Sequence, residues 1–123
     1  MAVESAGTLI SIPANAWTPI HQNAGGATSV DVIQKFILAN PHATSNAIID
    51  VRVRSAGALP GPEDDTGVLI KDWILRPSSG NTGFVDLREI VGGYMNHDQI
   101  LEVRSSLPAN CWFGHIRDTL GAG

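Results

Sequence analysis

Apolar and polar side chains alternate along three short segments of the chain. In residues 49–54 the odd positions are Ile or Val and the even positions are Asp or Arg. Residues 101–104 repeat this alternation, and residues 8–12 place Ile10 and Ile12 on one side. A period of two is typical of a β-strand with one face in the core and the other in solvent. These segments therefore predict half-buried strands.

Two longer segments, residues 30–38 and 68–75, carry apolar side chains on both faces. Such segments are typical of central strands, or of strands that another subunit covers. Trp73 lies in the second segment, and we expect it to pack in the core. A closing strand is expected at residues 111–118, where Trp112 falls on one side and Cys111 on the other.

Only two segments of the chain favour a helix. Ser29 is placed to cap a turn over residues 30–37, and residues 87–94 have apolar side chains at the spacing of a helix face. Gly92 and Gly93 would end the second helix early. Together with frequent glycine and proline breaks, the pattern predicts an all-β fold. We expect an antiparallel β-sandwich, jelly-roll-like, with about seven or eight strands and at most one short helix.

The chain has 123 residues, which is enough for one hydrophobic core but not for two. We expect a flexible N-terminal arm at residues 1–7, a single β-sandwich domain at residues 8–118 and a C-terminal tail at residues 119–123. Residues 1–7 have neither the basic nor the apolar region of a signal peptide. Synthesis in the cytoplasm is therefore expected.

Charged residues make up only 16% of the chain, and the formal net charge is -4. Binding along nucleic acid needs clustered Lys and Arg, so the charge argues against that function. No apolar run approaches the ~20 residues that span a bilayer, which argues against a membrane protein. A surface with few charges indicates that part of it is covered by a partner.

Cys111 and His115 are the first candidate for catalysis, because a thiol beside an imidazole can become a nucleophile. Four residues apart on one strand, however, their side chains share a face at a separation of roughly 13 Å. Hydrogen bonding needs about 3 Å, so no activated thiol is predicted. We expect Cys111 to be a buried structural residue.

The remaining candidates lie at turns. Glu63, Asp64 and Asp65 could offer oxygen ligands to calcium, but they lack the alternating ligand spacing of a calcium loop, so a solvated turn is favoured. His97 and Asp98 are interpreted as a tight turn before the strand at residues 99–104.

The other histidines complete no recognisable site. His21 and His42 are placed in loops, and no two histidines have the short separation of known zinc motifs. We therefore predict no metal, no cofactor and no catalytic residue, and a protein that is not an enzyme. Trp17 and Trp112 are the candidate interface residues, since exposed tryptophans anchor protein contacts or stack on sugar rings.

The order of these segments resembles the small all-β structural proteins of tailed bacteriophage virions, including capsid cement or decoration proteins and head or tail accessory proteins. The resemblance spans residues 8–116, and the loop at residues 56–66 departs from it. It is carried by four stretches of sequence: the opening Thr-Leu-Ile-Ser-Ile-Pro-Ala-Asn, the strand and turn Phe-Ile-Leu-Ala-Asn-Pro-His-Ala-Thr with the alternating strand that follows it, the later Tyr-Met-Asn-His-Asp-Gln-Ile-Leu-Glu-Val-Arg-Ser-Ser, and the closing Cys-Trp-Phe-Gly-His-Ile.

The resemblance implies a location in the virion, after synthesis in the host cytoplasm, and phage capsid or tail proteins as partners. It also implies a binding role in many copies. We expect a homo-oligomer, and the charge and the lack of a long apolar run argue against direct contact with nucleic acid or membrane. The leading hypothesis is a capsid cement protein that stabilises a shell in many copies. A neck, tail or baseplate accessory protein is the alternative, and a carbohydrate-binding sandwich is an alternative from another class. A hydrolase using Cys111 or His97 is disfavoured.

Overall fold

The computed structural model describes residues 3–4, 8–57, 67–78 and 83–119. The predicted acidic turn at Glu63, Asp64 and Asp65 lies outside the described residues, as do the rest of the N-terminal arm and the tail from residue 120. Val3 and Glu4 pair with Arg117 and Ile116, so this part of the predicted arm forms a strand.

The described residues form strands and turns without an α-helix. Residues 87–92, where a short helix was possible, form a hydrogen-bonded turn that begins at Leu87. Ser29 begins a strand instead of capping a helix, so that alternative was wrong. In chain order the strands are β1 Val3–Glu4, β2 Thr8–Ile12, β3 Thr18–Gln22, β4 Ser29–Ala39, β5 Ala47–Ser55, β6 Val68–Leu75, β7 Phe84–Asp86, β8 Tyr94–Asn96, β9 Gln99–Ser105 and β10 Ala109–Thr119.

The strands form two antiparallel sheets that pack face to face. In the first sheet, here called sheet A, β10 and β4 are central, β1 and β2 flank β10, and β7 and β8 flank β4. The second sheet, sheet B, has the order β3-β9-β5-β6.

The pairs are nested, because β2 pairs with β10, β3 with β9, β4 with β7 and β8, and β5 with β6. This nesting is the topology of a jelly roll, in which β7 and β8 share one strand position. The predicted β-sandwich is confirmed.

The core lies between the inner faces of the two sheets. Alternate residues of β4, β5, β9 and β10 point inward, and the period of two had predicted this for β5 and β9. The largest fully buried side chains include Phe36, Ile12, Leu38, Ile49 and Leu101.

The segment at residues 68–75 is a strand, but it is not a central one. β6 lies at the edge of sheet B and pairs with β5, and Asp72 interrupts it with a φ of 57°. Trp73 is 41% exposed, so the expectation that it packs in the core was wrong. Apolar residues on both faces indicated burial, yet β6 has an open edge and no strand beyond it in the described sheet.

Candidate functional site

The outer face of sheet A carries an apolar surface. Antiparallel register places Leu9, Trp112 and Ile37 side by side, and it likewise aligns Ile116, Val32 and Tyr94. Phe84 is the register partner of Ala39 on β4. Five large apolar side chains on this face are more than a third exposed, and we call them the apolar face: Leu9, Val32, Phe84, Tyr94 and Trp112.

Charge on this face is sparse. Lys35 lies over the ring of Trp112, with its Nζ atom 4.8 Å from the ring centroid. Asp86 and Asp118 occupy outer positions near the ends of β7 and β10. The Lys35 ammonium therefore covers one face of the Trp112 ring. The apolar face is therefore bordered by a few charged side chains, with Lys35 over Trp112 and with Arg88 and Glu89 beside Val32.

Trp17, the other candidate interface residue, lies in a different environment. Its ring packs beneath the guanidinium groups of Arg52 and Arg104, whose Cζ atoms lie 4.2 and 4.5 Å from the ring centroid. Its Nε1 atom is buried without a hydrogen-bond partner. Trp17 is thus half-buried against the outer face of sheet B, while Trp112 is 46% exposed on sheet A. The structure does not bring the two together.

Charged side chains on the outer face of sheet B form a buried network. Glu102 accepts hydrogen bonds from Arg52 at 2.7 Å and from Arg54 at 2.8 Å. Asp50 accepts two from Arg104, at 2.7 and 3.0 Å. The alternating pattern of β5 predicted that its charged face would be solvated, but Arg52 is only 4% exposed, so that interpretation was wrong. The opposite charges on β9 and the ring of Trp17 cover these side chains.

Glu102 is ionised in this setting. Burial alone would raise its pKa, but the hydrogen bonds and charges of Arg54 and Arg52 outweigh burial and hold the pKa of Glu102 below its usual value. Two guanidinium groups thus share one carboxylate and favour its charged form.

Cys111 is fully buried, as predicted, and burial raises the pKa of its thiol to about 12. At neutral pH the sulfur is therefore a neutral thiol, which is a poor nucleophile. This thiol does not have the properties of a catalytic nucleophile.

We predict that Cys111 in the folded protein resists thiol–disulfide exchange at pH 8 and reacts fully after unfolding in urea. A disulfide reagent such as DTNB, followed by absorbance, measures both reactions. Replacement by Ala should leave the fold intact, whereas Ser should cost more stability because it brings a hydroxyl into an apolar site. Rapid labelling of the folded protein, with a half-time of seconds, would contradict this assignment.

His97 and Asp98 form the predicted tight turn, between β8 and β9. Their side chains are 3.1 Å apart and more than a third exposed, and Asp98 has a φ of 64°. The Nδ1 atom of His97 lies 2.7 Å from the carbonyl oxygen of Gly25. These contacts hold the turn in place.

A cluster that the sequence did not predict lies between the two sheets. His21 on β3, Asp31 on β4 and His115 on β10 each point a possible ligand atom inward, and these atoms all lie within 4.8 Å of one another. We call these three residues the His–Asp cluster. The earlier placement of His21 in a loop was wrong, because it belongs to β3 and stacks on Phe113.

Asp31 is the centre of the cluster. Its side chain has no exposed surface, and Arg117 donates hydrogen bonds to Oδ1 at 2.7 Å and to Oδ2 at 3.0 Å. The Nε2 atom of His21 lies 2.6 Å from Oδ2. Burial would raise the pKa of Asp31, but the bonds from Arg117 and His21 outweigh it and lower the pKa.

The rings of His21 and His115 lie against each other, with centroids 4.1 Å apart. Burial lowers the pKa of His115, and the charge of His21 lowers it further. A neutral imidazole can accept a hydrogen bond or bind a metal ion. One signal in the sequence could have identified the cluster: Asp31 is a lone acid within a strand that is apolar on both faces, and such a charge needs a buried partner.

Comparison of this chain with known protein families, with curated proteins and with solved structures gives no match. None of the described residues belongs to a helix that could cross a bilayer. The function therefore has to be inferred from the chemistry of the apolar face and of the His–Asp cluster.

Proposed function

We propose that this chain is a non-enzymatic structural protein of a phage virion, which binds the capsid in many copies through the apolar face of sheet A. The observation that carries the proposal is the set of five large, exposed apolar side chains on the outer face of sheet A. The resemblance of the sequence to phage cement and accessory proteins supplies the biological setting.

The exposed side chains of the apolar face are grouped by the strand register, Leu9 beside Trp112 and Val32 beside Tyr94. Contiguous apolar patches of several hundred Å² on soluble proteins mark interaction sites. Phe84 is 63% exposed and Leu9 is 65% exposed, and both are costly to leave in water. Covering the apolar face with another protein removes this cost, so binding to a shell stabilises both partners.

The chemistry of the apolar face favours a protein partner over a sugar. Trp112 alone could stack on a sugar ring, which is the observation in favour of a carbohydrate-binding module. Val32 and Leu9, however, offer no hydrogen bonds to hydroxyl groups, whereas a protein surface can present apolar side chains to both. Jelly rolls occur in capsid proteins and in lectins, so the topology supports either partner.

The proposal predicts that shell binding is apolar and survives salt. Sedimentation with empty shells from the phage that encodes this chain should show binding at 0.15 M NaCl that persists at about 1 M, because screening weakens charge pairs but not apolar burial. Trp112→Asp should weaken binding by about 30-fold or more, as expected for a central aromatic anchor.

Three variants keep this test specific. Leu9 is exposed on the edge strand β2, so Leu9→Asp should weaken binding without disturbing the core. Ile74→Asp makes the same kind of change on β6 of sheet B and should leave binding unchanged. Trp17→Asp should lower stability, because Trp17 packs against Arg52 and Arg104. A folded chain that binds neither shells nor tail components, but binds an oligosaccharide through Trp112, would overturn the proposal.

A further inference from the structure

We propose that the His–Asp cluster is a binding site for one divalent first-row transition metal ion, held by His21, Asp31 and His115. Two imidazoles and one carboxylate form a ligand set that suits zinc and non-haem iron. Calcium and magnesium prefer oxygen ligands and would be disfavoured here. The inference does not depend on the proposed role in a virion.

The geometry brings the ligands together from both sheets. Asp31 and His115 lie on neighbouring strands of sheet A, where Asp31 pairs with Arg117 and His115 with Ile33. His21 reaches the same point from sheet B. An ion at this point would join β3 to β4 and β10 through bonds stronger than side-chain packing, and would tie the two sheets together at one place.

The distances require only a small adjustment. Metal bonds to nitrogen and oxygen of about 2.0–2.2 Å place two ligand atoms roughly 3 Å apart. The 4.8 Å limit on the separations within the cluster allows this spacing. The Nε2 of His21 and the Oδ2 of Asp31, now 2.6 Å apart, would have to separate by several tenths of an ångström.

Arg117 fits the role of a supporting residue. A ligating carboxylate is commonly hydrogen-bonded by a second residue that fixes its orientation. A carboxylate has about four lone-pair positions, so Asp31 can accept the bonds of Arg117 and still bind an ion. The Arg117 guanidinium offsets the charge of Asp31, so an ion would be held by the two imidazole nitrogens and by the lone pairs of Asp31 that Arg117 leaves open. His21 and His115 are partly exposed, which leaves water a route to the remaining coordination positions.

Without an ion, the same residues are an ordinary buried ion pair with two adjacent imidazoles. A metal site predicts that zinc binds the chain and stabilises it, whereas an ion pair alone does not. The chain is stripped with a chelator, dialysed and titrated with zinc sulfate by calorimetry, and its melting temperature is measured with and without saturating zinc. We expect one ion per chain and a rise in melting temperature, since a ligand that binds only the folded state stabilises it.

Variants identify the ligands. His115→Ala removes one ligand while leaving the contacts of Arg117 and His21 with Asp31, and it should weaken zinc binding by about 100-fold or more. His42→Ala and His97→Ala are matched controls, and they should bind zinc as the unchanged chain does. Asp31→Asn should also abolish binding, but it disturbs the pair with Arg117, so it is secondary.

Two measurements on the unchanged chain remain informative if a variant fails to fold. Zinc should shift the ring ¹⁵N resonances of His21 and His115 and leave those of His42 and His97 in place. Cobalt should give visible d–d absorption without a thiolate charge-transfer band, because Cys111 is not a ligand. The proposal is overturned if zinc does not bind up to about 1 mM, or if His97→Ala removes binding while His115→Ala does not.

Discussion

Replacing Glu102 by Gln is expected to lower the free energy of unfolding at pH 7 by about 3–5 kcal/mol, the usual cost of breaking a buried ion pair from one side. Glu102 is 3% exposed and accepts hydrogen bonds from both Arg52 and Arg54. Glutamine keeps the shape of the side chain but removes the charge. Arg52, at 4% exposure, then loses the negative charge that Glu102 places beside it.

The loss should depend on pH in a defined direction. The pKa of Glu102 is lower in the folded chain than in the unfolded one, so its contribution is fully present above the unfolded pKa of about 4.3. That contribution disappears as the pH falls through the lower, folded pKa. The difference in stability between the unchanged chain and Glu102→Gln should therefore be large at pH 7 and shrink below about pH 4.

Urea denaturation at pH 7, 5 and 3 measures both chains. Glu89→Gln provides the matched control, because Glu89 is exposed in the turn after β7 and should change stability by less than about 0.5 kcal/mol. Equal losses for the two variants, or a difference that does not vary with pH, would show that the network on sheet B contributes little.

The same residues show how far a period of two in the sequence can be interpreted. Alternation in β5 correctly placed Val51 and its neighbours in the core. It could not show that Arg52 is covered, because the covering groups, Glu102 and Trp17, are distant in sequence. Local periodicity fixes which face a side chain occupies, whereas the solvation of that face depends on contacts formed by the whole fold.

Short strands and distant contacts account for the other differences. β7 and β8 have three residues each, too few to show a period, and Pro19 interrupts the pattern of β3. No strand was predicted at residues 18–22, so His21 was placed in a loop. The His–Asp cluster combines residues from three strands, so no sequence motif with a fixed spacing could predict it. Trp112, by contrast, lies on a strand whose alternation is regular, and its position opposite Cys111 was predicted correctly.

The turn after β4 contains Asn40, whose side chain is buried and hydrogen-bonded. Its Nδ2 atom donates to three carbonyl oxygens, those of Ser45, Leu75 and Arg76, at 2.8 to 3.2 Å. Its Oδ1 atom accepts a hydrogen bond from the backbone of His42. One amide therefore joins the turn between β4 and β5 to the end of β6.

Asn40→Asp should lower the free energy of unfolding by at least about 3 kcal/mol at pH 7, although the two side chains have nearly the same shape. An ionised carboxylate has no hydrogen to donate, so three carbonyl oxygens would face a negative charge at a site that is 1% exposed. Burial would raise the pKa of the introduced carboxyl. The loss in the free energy of unfolding, relative to the unchanged chain, should therefore be smallest below about pH 4 and grow as the pH rises. Thermal or urea unfolding at pH 4 and pH 7 measures this, with Asn46→Asp as the control at an exposed position of the same turn. If the two variants have equal stability at pH 7, the hydrogen bonds of Asn40 do not hold the turn to β6.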